Sequence, residues 1–564
     1  MFELLKMKKL PLGLSDFKTV IEDNYYYIDK SLLIKELFET AGQVLLIPRP
    51  RRFGKTLNLS MLKYFFSISS TDHKYLFRDT HIWKEGNYME VQGRYPVIYL
   101  TFKDVKESNW ESSFKKIREI IANEFKSYLQ MLEHKISPHD LEKYITLING
   151  KAEETTYGTA LLFLSNLLYV HYNKKVIILI DEYDAPIHAG FIHDFYDEII
   201  QFMRSLLTSV FKDNQYLEKG ILTGILRTAK EGIFSGLNNL SVYSLLDTEF
   251  EDKFGFTEQE VKQLLTDWEM SDQLPEIQAW YNGYKFGNTT IYNPWSLISC
   301  ISKKGALKPY WLNTSDNQII KKLISLASSE VKEELELLLN KKEIEKEITE
   351  AIIFPGIENN SKALWSLLLF SGYLAYSSCK LVIGKTYCNL TIPNQEIEIL
   401  YKELITEVFE RTLTTHKVNI MLRALITGDI DTFEILLQEF LLNSISMYDL
   451  PANEPEKTYH LFVLGLLVLL ADQYQVKSNR ESGLGRYDIM LIPKDKNQLG
   501  IVIEFKKTAP KETLELAATR ALEQIKQKEY MHELKSLGIK HIKIIGIAFE
   551  SKKIFIQSEN IESL

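Results

Sequence analysis

Long runs of apolar residues that end in polar clusters recur along the first half of the chain. Gln43–Pro48 is an apolar run of strand length, and Leu57–Phe66 has the pattern of an apolar helix. Lys174–Asp184 contains five consecutive apolar residues, rich in β-branched side chains, before two carboxylates. A continuous run of this kind is typical of a strand buried on both faces of a parallel sheet. We therefore expect an α/β domain with a parallel sheet and flanking helices.

The turn between the first predicted strand and helix ends in Gly54-Lys55-Thr56. Successive backbone N–H groups in such a turn point at one spot, and the helix dipole adds positive potential there, which suits phosphate. Lys55 would reach the outer phosphates, and Thr56 would offer a hydroxyl to Mg²⁺. Arg49 stands where the pattern GxxxxGK[ST] has its first Gly. At this point a nucleotide site and an ordinary basic turn are equally good interpretations.

Asp181 and Glu182, which end the second predicted strand, favour the nucleotide site. The carboxyl ends of strands in α/β sheets border the crevice where ligands bind. Asp181 would hold Mg²⁺, and Glu182 would polarise an attacking water. The two stretches, in this order, indicate a P-loop ATPase.

Lys219–Arg227 is predicted to be a further central strand. Thr223 near its end is a candidate sensor of the γ-phosphate, and Arg227 is a candidate for neutralising charge during transfer. A surface salt bridge explains Arg227 equally well. Tyr25–Lys30 is an aromatic cluster placed to flank a base, although packing at the sheet edge is an equal alternative.

Beyond Gly232 the pattern changes to short helices and aromatic loops. Phe254–Trp268 has a capping box, Thr257 to Glu260, that opens a helix. The aromatic-rich loops that follow are predicted to form a helical lid folding back toward the nucleotide, with irregular aromatic packing as the alternative. Ser328–Glu350, dominated by Lys and Glu, predicts a solvated helix. Leu364–Tyr376 and Glu396–Leu441 are predicted to be helical.

Composition limits the remaining possibilities. The 564 residues predict several domains, and a net charge of -8 argues against a basic coat over the whole surface. Cys300, Cys379 and Cys388 show no disulfide framework, so we expect reduced cysteines and a cytoplasmic location. The start of the chain lacks the apolar core of a signal peptide, and Leu461–Leu470 is about half the length needed to span a bilayer. No membrane association is expected.

Several ordered motifs resemble those of one family. They are LPLGLSDF, YYYIDKS, RPRRFGKT, ILIDEYDAPI, TGILRTAKEGIFSGLNN, FGFTEQEV, YNGYKFG, YNPWS and YWLNTSDN. This series is similar to the bacterial AAA-ATPase-like family, in which RPRRFGK-type loops replace the standard P-loop. The resemblance covers roughly residues 10–320 and implies a C-terminal PD-(D/E)XK nuclease-like domain over roughly residues 450–560. The implied nucleotide-binding residues are Arg52, Phe53, Gly54, Lys55, Thr56, Asp181, Thr223 and Arg227.

The C-terminal residues support that nuclease-like domain independently. Their pattern predicts helix, two strands, helix and strand, over Glu456–Tyr474, Arg486–Pro493, Gly500–Lys507, Thr513–Tyr530 and His541–Phe549. Asp488 on one strand and Glu504 on the next would hold Mg²⁺, or alternatively Mn²⁺, and Lys506 would activate a water. Glu504 lies inside an apolar strand, where an unpaired carboxylate is costly. That placement favours a functional role over a chance Glu-x-Lys triplet.

Further residues extend this second candidate site. Glu456 matches the position of an additional metal-binding acid, with the polar face of a core helix as the alternative. Gln524 and Tyr530 resemble the Gln-containing motif of exonuclease-like members, and Arg480 and Arg486 would grip phosphate. From 494 to 553 the chain has 13 Lys and Arg against 8 Asp and Glu, which suits a polyanion.

These observations predict four segments: an ATPase domain (1–235), a helical lid (236–345), a helical connecting region (346–450) and a nuclease-like domain (451–564). The predicted function is ATP binding and hydrolysis coupled to Mg²⁺-dependent cleavage, with DNA as the expected partner. The alternative is a regulatory ATPase whose nuclease-like module only binds nucleic acid or is inactive. Homo-oligomers are compatible with either.

Overall fold

The computed structural model describes residues 8–228, 233–234, 237–312, 329–339, 341–352, 354, 357, 360–410, 415–444, 463, 467–470, 472–482, 485–509, 511–550 and 553–562. The contacts divide the chain into two units. Unit 1 comprises Met1–Leu323 and Glu345–Ile397, and unit 2 comprises Ile324–Ile344 and Glu398–Leu564. The four-segment division from the sequence stays a prediction.

Strands and helices alternate through most of unit 1 and both occur in unit 2. The strands are β1 (Val44–Pro48), β2 (Val97–Thr101), β3 (Val176–Asp181), β4 (Leu217–Gly224), β5 (Arg227–Thr228), β6 (Leu240–Val242), β7 (Phe256–Thr257), β8 (Tyr284–Phe286), β9 (Thr289–Tyr292), β10 (Ile344–Ile348), β11 (Ala351–Ile352), β12 (Ala375–Val382), β13 (Lys385–Thr391), β14 (Tyr474–Ser482), β15 (Gly485–Pro493), β16 (Gly500–Lys507), β17 (His541–Glu550) and β18 (Lys553–Glu562). The helices are α1 (Phe17–Glu22), α2 (Leu32–Glu39), α3 (Lys55–Phe66), α4 (His81–Lys84), α5 (Trp110–Leu132), α6 (Pro138–Ile148), α7 (Glu154–Gly158), α8 (Ala160–Tyr172), α9 (Ala185–Ile192), α10 (Tyr196–Phe211), α11 (Glu258–Asp267), α12 (Leu274–Tyr281), α13 (Pro294–Ser302), α14 (Ser329–Leu339), α15 (Ser361–Phe370), α16 (Gln395–Glu410), α17 (Thr415–Thr427), α18 (Ile430–Ser444), α19 (Leu514–Gln527) and α20 (His532–Ser536). Short 3₁₀ turns lie at Lys74–Phe77, Gly86–Val91, Ser271–Gln273 and Val468–Leu470.

A parallel five-stranded sheet forms the core of unit 1, in the order β2-β3-β4-β1-β6. Every residue of β1 and β3 is buried, as their continuous apolar runs predicted. The register sets Pro48 beside Gly224 and Thr101 beside Asp181. The carboxyl ends of β1, β3 and β4 therefore meet at one edge of the sheet. The α/β class predicted from the sequence is confirmed here.

The segment after this sheet contains short helices and a small antiparallel sheet, β7-β9-β8. The capping box predicted for α11 is present, because the Thr257 hydroxyl accepts from the Glu260 N–H and the Glu260 carboxylate accepts from the Thr257 N–H. The predicted solvated helix over Ser328–Glu350 is shorter than expected. It appears as α14, and strand β10 begins at Ile344.

A β-hairpin in unit 1 corrects two expectations. The helix predicted over Leu364–Tyr376 ends at Phe370, because Gly372 adopts φ 85° and stops it, and β12 begins at Ala375. Strands β12 and β13 pair so that Cys379 faces Cys388, with Cα atoms 4.1 Å apart, and the two form a disulfide. The expectation of reduced cysteines is therefore wrong for this pair, while Cys300 is buried and free. The sequence showed no hairpin to bring them together.

Unit 2 contains a mixed five-stranded sheet in the order β14-β15-β16-β17-β18. Only β16 and β17 pair in parallel. Alternate residues face opposite sides: Ile501 and Ile503 pack with α17 and α18, whereas Val502 packs with α19. Glu504 follows the same alternation onto the α19 side. No helix among the described residues has both the length and the apolar character that a membrane span requires.

Candidate functional site

The turn between β1 and α3 presents unpaired backbone donors to one spot. Gly54 and Arg52 adopt left-handed conformations, with φ 87° and 69°, and α3 begins at Lys55. Within the described part of the chain, no backbone N–H from Arg51 to Leu57 donates to a protein acceptor. A run of free N–H groups at a helix N-terminus fits a phosphate chain.

Lys55 extends over this turn rather than into solvent. Its ammonium donates to the carbonyl oxygens of Arg49 and Pro50, each at 3.0 Å, and its side chain is buried. Burial lowers the pKa of Lys55, while the nearby carboxylates of Glu182 and Asp181 act in the opposite direction. An ammonium has three N–H donors, so one remains for an outer phosphate.

Asp181 gathers three hydroxyl groups at the carboxyl edge of the sheet. Thr56 Oγ1 donates to Asp181 Oδ2 at 2.7 Å, Thr223 Oγ1 donates to Oδ1 at 2.8 Å, and Thr101 Oγ1 lies 3.3 Å from Oδ2. Burial raises the pKa of this carboxyl, and Glu182 raises it further. Hydroxyl and carboxylate oxygens are ligands that Mg²⁺ accepts, with substrate phosphates and water completing its shell. The residues present therefore fit that ion.

Glu182 and Arg227, both predicted for this site, occupy different places. Glu182 lies just past β3 with φ 48° and lines the cavity in front of the turn. Arg227 does not line that cavity. The strand predicted over Lys219–Arg227 ends at Gly224, and Arg227 belongs to β5, which pairs with β11.

Arg49 explains how the turn forms without the usual first Gly. Its guanidinium is fully buried and donates to the carbonyl oxygens of Pro48 and Tyr243, each at 2.8 Å. It also lies 5.4 Å from the ring centre of Phe254 and 5.2 Å from that of Phe286. Burial lowers the pKa of Arg49 to about 10, so the side chain stays charged at neutral pH. The arginine thus anchors the turn to the 243–286 segment.

A cavity of about 430 Å³ opens in front of the turn. Its lining includes the basic residues Arg51, Lys103, Lys106 and Lys253. The aromatic and apolar residues of the lining are Leu10, Pro11, Tyr26, Tyr27, Ile28, Phe256, Pro294, Trp295 and Ile298. The aromatic cluster before β1 and residues of α13 therefore line this cavity. Basic and aromatic side chains are both present there for a triphosphate and a base.

In unit 2, Asp488 and Glu504 approach each other on neighbouring strands. The Asp488 N–H donates to Glu504 Oε2 at 3.4 Å, and Asp488 Oδ2 accepts from the Phe505 N–H at 2.8 Å. Lys506 Nζ lies 3.0 Å from Glu504 Oε1. The three residues predicted from the sequence are thus brought together.

Gln524 and Tyr530 complete this second cluster. Gln524 on α19 donates to Glu504 Oε1, and its amide nitrogen lies 3.2 Å from the Tyr530 hydroxyl. Glu504 is 2% exposed; burial and the charge of Asp488 raise its pKa to about 7, against the opposing effect of Lys506. Gly546 stands opposite Glu504 on β17, where a Cβ would lie 2.4 Å from the Ala518 carbonyl oxygen. Its missing side chain lets α19 pack closely enough to reach Glu504.

Three predicted residues remain without a structural account. Glu456 lies outside the described residues. The helix predicted over Glu456–Tyr474 is described only in part, and its last predicted residue, Tyr474, is the first residue of strand β14. Arg480 and Arg486 lie on β14 and β15, where only the backbone is described. Among described residues, no group of three or more His, Cys, Asp or Glu gathers as a metal site. Unit 2 therefore offers a pair of carboxylates, Asp488 and Glu504, to a cation.

Two family models match the chain at these sites. Residues 11–234 match the model described as Predicted AAA-ATPase, and residues 454–559 match the PD-(D/E)XK nuclease superfamily. The chain contains an AAA-ATPase-like domain and a PD-(D/E)XK nuclease superfamily domain. Both family predictions made from the sequence are confirmed.

One relative spans nearly the whole chain. It is a protein of Azotobacter chroococcum mcd 1 described as "Uncharacterized protein in vnfD 5'region", 25% identical over 575 residues, which cover 99% of this chain and 100% of the relative. No solved structure matches the chain. The relative therefore matches this chain over nearly its whole length but adds no activity.

Sequence reasoning missed several residues around the phosphate-binding turn of unit 1. Arg49 was assigned no partners, and Lys103 and Lys106 in the cavity were not singled out. Trp311, whose indole N–H donates to the Arg51 carbonyl oxygen at 3.2 Å, was also missed. The signal for Trp311 was its place in the motif PYWLNTSDN, which carried the family resemblance without a role.

Proposed function

We propose that the chain is an ATP-dependent, Mg²⁺-requiring nuclease that acts on DNA. The observation that carries this proposal is the cluster of Asp488, Glu504 and Lys506, built around a carboxylate that is 2% exposed inside an apolar strand. A buried carboxylate is costly unless it is paired or holds a cation. The superfamily match supports the same chemistry at the domain level.

The residues of the cluster would divide the chemistry among themselves. Asp488 and Glu504 would hold Mg²⁺, which when bound lowers the pKa of a water and stabilises charge on a phosphate. Lys506, 3.0 Å from Glu504, would orient that water. Gln524 donates to Glu504 and so fixes the direction of its carboxylate.

The AAA-ATPase-like domain would bind and hydrolyse ATP. The free N–H groups from Arg51 to Leu57 would hold the phosphates, with Lys55 on the outer ones. Thr56 and Asp181 would hold Mg²⁺, and Glu182 would take a proton from the attacking water. Thr223, hydrogen-bonded to Asp181, would sense the terminal phosphate.

Cleavage of labelled linear and circular DNA, with and without Mg²⁺ and ATP, tests the nuclease proposal. We expect Asp488→Ala and Glu504→Ala to lose both cleavage and Mn²⁺ binding measured by calorimetry. Lys506→Ala should keep metal binding but lose cleavage, because it acts on water. Glu523→Ala, an exposed acid beside Gln524, is the matched control and should cut normally. If both carboxylate variants cut like wild type, the nuclease assignment is wrong.

A second candidate is a regulatory ATPase whose nuclease-like domain binds nucleic acid without cutting it. It is favoured by the internal hydrogen bonds of the cluster, because Asp488 Oδ2 accepts from Phe505 and Glu504 Oε1 is bonded to Lys506 and Gln524. A wild-type chain that hydrolyses ATP but binds no metal in unit 2 and cuts neither DNA nor RNA supports this candidate.

A further inference from the structure

Two adjacent arginines of the P-loop face the same cavity but have different surroundings. The Arg52 guanidinium lies 4.4 Å from the ring centre of Trp295, in a cation–π contact. The Arg51 side chain, in contrast, makes no hydrogen bond, ion pair or ring contact within the described residues, and it also lines the cavity. Arg52 is occupied in shaping the cavity, whereas Arg51 has its donors available.

The backbone of Arg51 accepts a hydrogen bond, although its side chain makes none within the described residues. Its carbonyl oxygen accepts from the indole N–H of Trp311 at 3.2 Å. The backbone N–H of Trp311 donates at 2.6 Å to Glu396, whose carboxylate also accepts from the Ser296 hydroxyl at 2.7 Å. Trp311 is 1% exposed and Glu396 is fully buried. These hydrogen bonds position the backbone of Arg51, from which its side chain extends.

The charges around Arg51 favour an anion between it and Lys55. Burial lowers the pKa of Lys55 most, and the nearby positive charge of Arg51 lowers it further. Lys103 and Lys106 line the same cavity, and their side chains make no hydrogen bond or ion pair within the described residues. Like charges that line one cavity repel each other, so a polyphosphate placed among them would relieve the repulsion. Glu182 lines the same cavity, where the attacking water would be activated.

We propose that Arg51 is a catalytic residue that neutralises charge on the terminal phosphate during ATP hydrolysis, and that Trp311 is its positioning residue. This inference rests on the proposed ATPase function. In the step, a water oxygen bonds to the γ-phosphorus while the bond from that phosphorus to the β–γ bridging oxygen breaks. ADP leaves with the electron pair, the proton of the water passes to Glu182, and phosphate is the second product. The arginine is supplied by the phosphate-binding turn itself rather than by a partner subunit.

Hydrolysis kinetics, ATP binding and trapping of ADP with aluminium fluoride test the role of Arg51. Arg51→Ala should lower kcat by about 10³-fold while ATP affinity stays within about threefold, because an arginine of this type acts mainly on the transition state. The same variant should fail to trap ADP with aluminium fluoride, a mimic of that state. Arg51→Lys, which keeps the charge but not the planar fork, should lose about tenfold in kcat and checks against misfolding.

Two further variants test whether Trp311 positions Arg51 and whether the loss of turnover is specific to Arg51. Trp311→Phe keeps the ring and removes the indole N–H; kcat should fall by about tenfold with KM unchanged. Arg94→Ala, an exposed arginine outside the cavity, should behave like wild type. Turnover by Arg51→Ala within about twofold of wild type, or a loss of ATP affinity with unchanged kcat, would overturn the inference while leaving the ATPase intact. A wild-type chain that does not hydrolyse ATP overturns both.

Discussion

Thr56 and Asp181 are 125 residues apart in sequence, and a 2.7 Å hydrogen bond joins Thr56 Oγ1 to Asp181 Oδ2. The bond connects the start of α3 to the end of β3 and puts a hydroxyl and a carboxylate at the same edge of the sheet. This relationship supports the proposed Mg²⁺ site, next to which Lys55 and Glu182 have separate proposed roles in binding and turnover of ATP.

Lys55 and Glu182 should therefore fail in different ways. Lys55→Ala should lose nucleotide affinity, because a buried ammonium beside the phosphates is removed. Glu182→Gln should bind ATP normally and hydrolyse it poorly, because the amide cannot accept the proton of the water. Calorimetric binding and phosphate release, measured on the same preparations, separate the two effects. Equal hydrolysis by wild type and Glu182→Gln would contradict the role of this carboxylate.

Restoring the usual glycine at position 49 should harm the protein. Arg49→Gly leaves the carbonyl oxygens of Pro48 and Tyr243 without their donor in a buried place. We expect a loss of about 2–4 kcal/mol in the free energy of unfolding, measured by denaturant titration. Arg94→Gly, at an exposed site, should cost about 1 kcal/mol or less. A variant at position 49 as stable as wild type would show that the buried guanidinium contributes nothing.

The raised pKa of Glu504 predicts a pH dependence of unit 2. Because the folded state holds this proton more tightly than the unfolded state, its contribution to stability is full below the ordinary value of 4.5. It is lost as pH rises through about 7. Metal binds the deprotonated form, so Mn²⁺ should raise the melting temperature more at about pH 8 than at about pH 6.

Glu504→Gln checks that assignment. The glutamine cannot titrate, so both the loss of stability near neutral pH and the stabilisation by Mn²⁺ should disappear in thermal unfolding curves. A Glu504→Gln variant that Mn²⁺ stabilises as much as wild type would place the cation elsewhere.

The C-terminal sheet packs against helices that lie outside the nuclease-like segment predicted from the sequence. Residues of α17 and α18, including Leu425, Phe433 and Phe440, belong to the same apolar core as Ile501 and Ile545 of the sheet. A fragment of residues 451–564 lacks these helices and exposes one face of the sheet. We expect it to aggregate or bind a hydrophobic dye, whereas residues 398–564 should stay monomeric in sedimentation. Equal behaviour of the two fragments would contradict this packing.

The sequence predicted those residues of the site that lie within short motifs, and it did not predict partners that are distant along the chain. Gly54 and Lys55 were predictable because they lie in the short turn between an apolar strand and an apolar helix, and Asp181 because it ends a buried strand. The partners of Arg49 were not, since Tyr243 and Phe250 lie about 200 residues away and no pattern at position 49 points to them. Strands β14 and β18 escaped prediction because they are the edges of their sheet, where polar residues interrupt the apolar run.

The site in unit 2 shows the same limit. Asp488, Glu504 and Lys506 followed from a strand pattern and a Glu-x-Lys triplet, and the structure brings them together. Helix α19 can lie close to Glu504 because the neighbouring residue on β17 is Gly546. The sequence pattern of β17 does not predict this contact.

The anchoring of Arg49 affects which parts of the chain can be exchanged with another protein. A standard phosphate-binding turn takes its shape from glycines within its own short sequence. This turn works only together with the carbonyl oxygens and aromatic rings between 243 and 286 that receive its arginine. A chimera that exchanges one of these two stretches without the other should therefore lose the conformation of the turn.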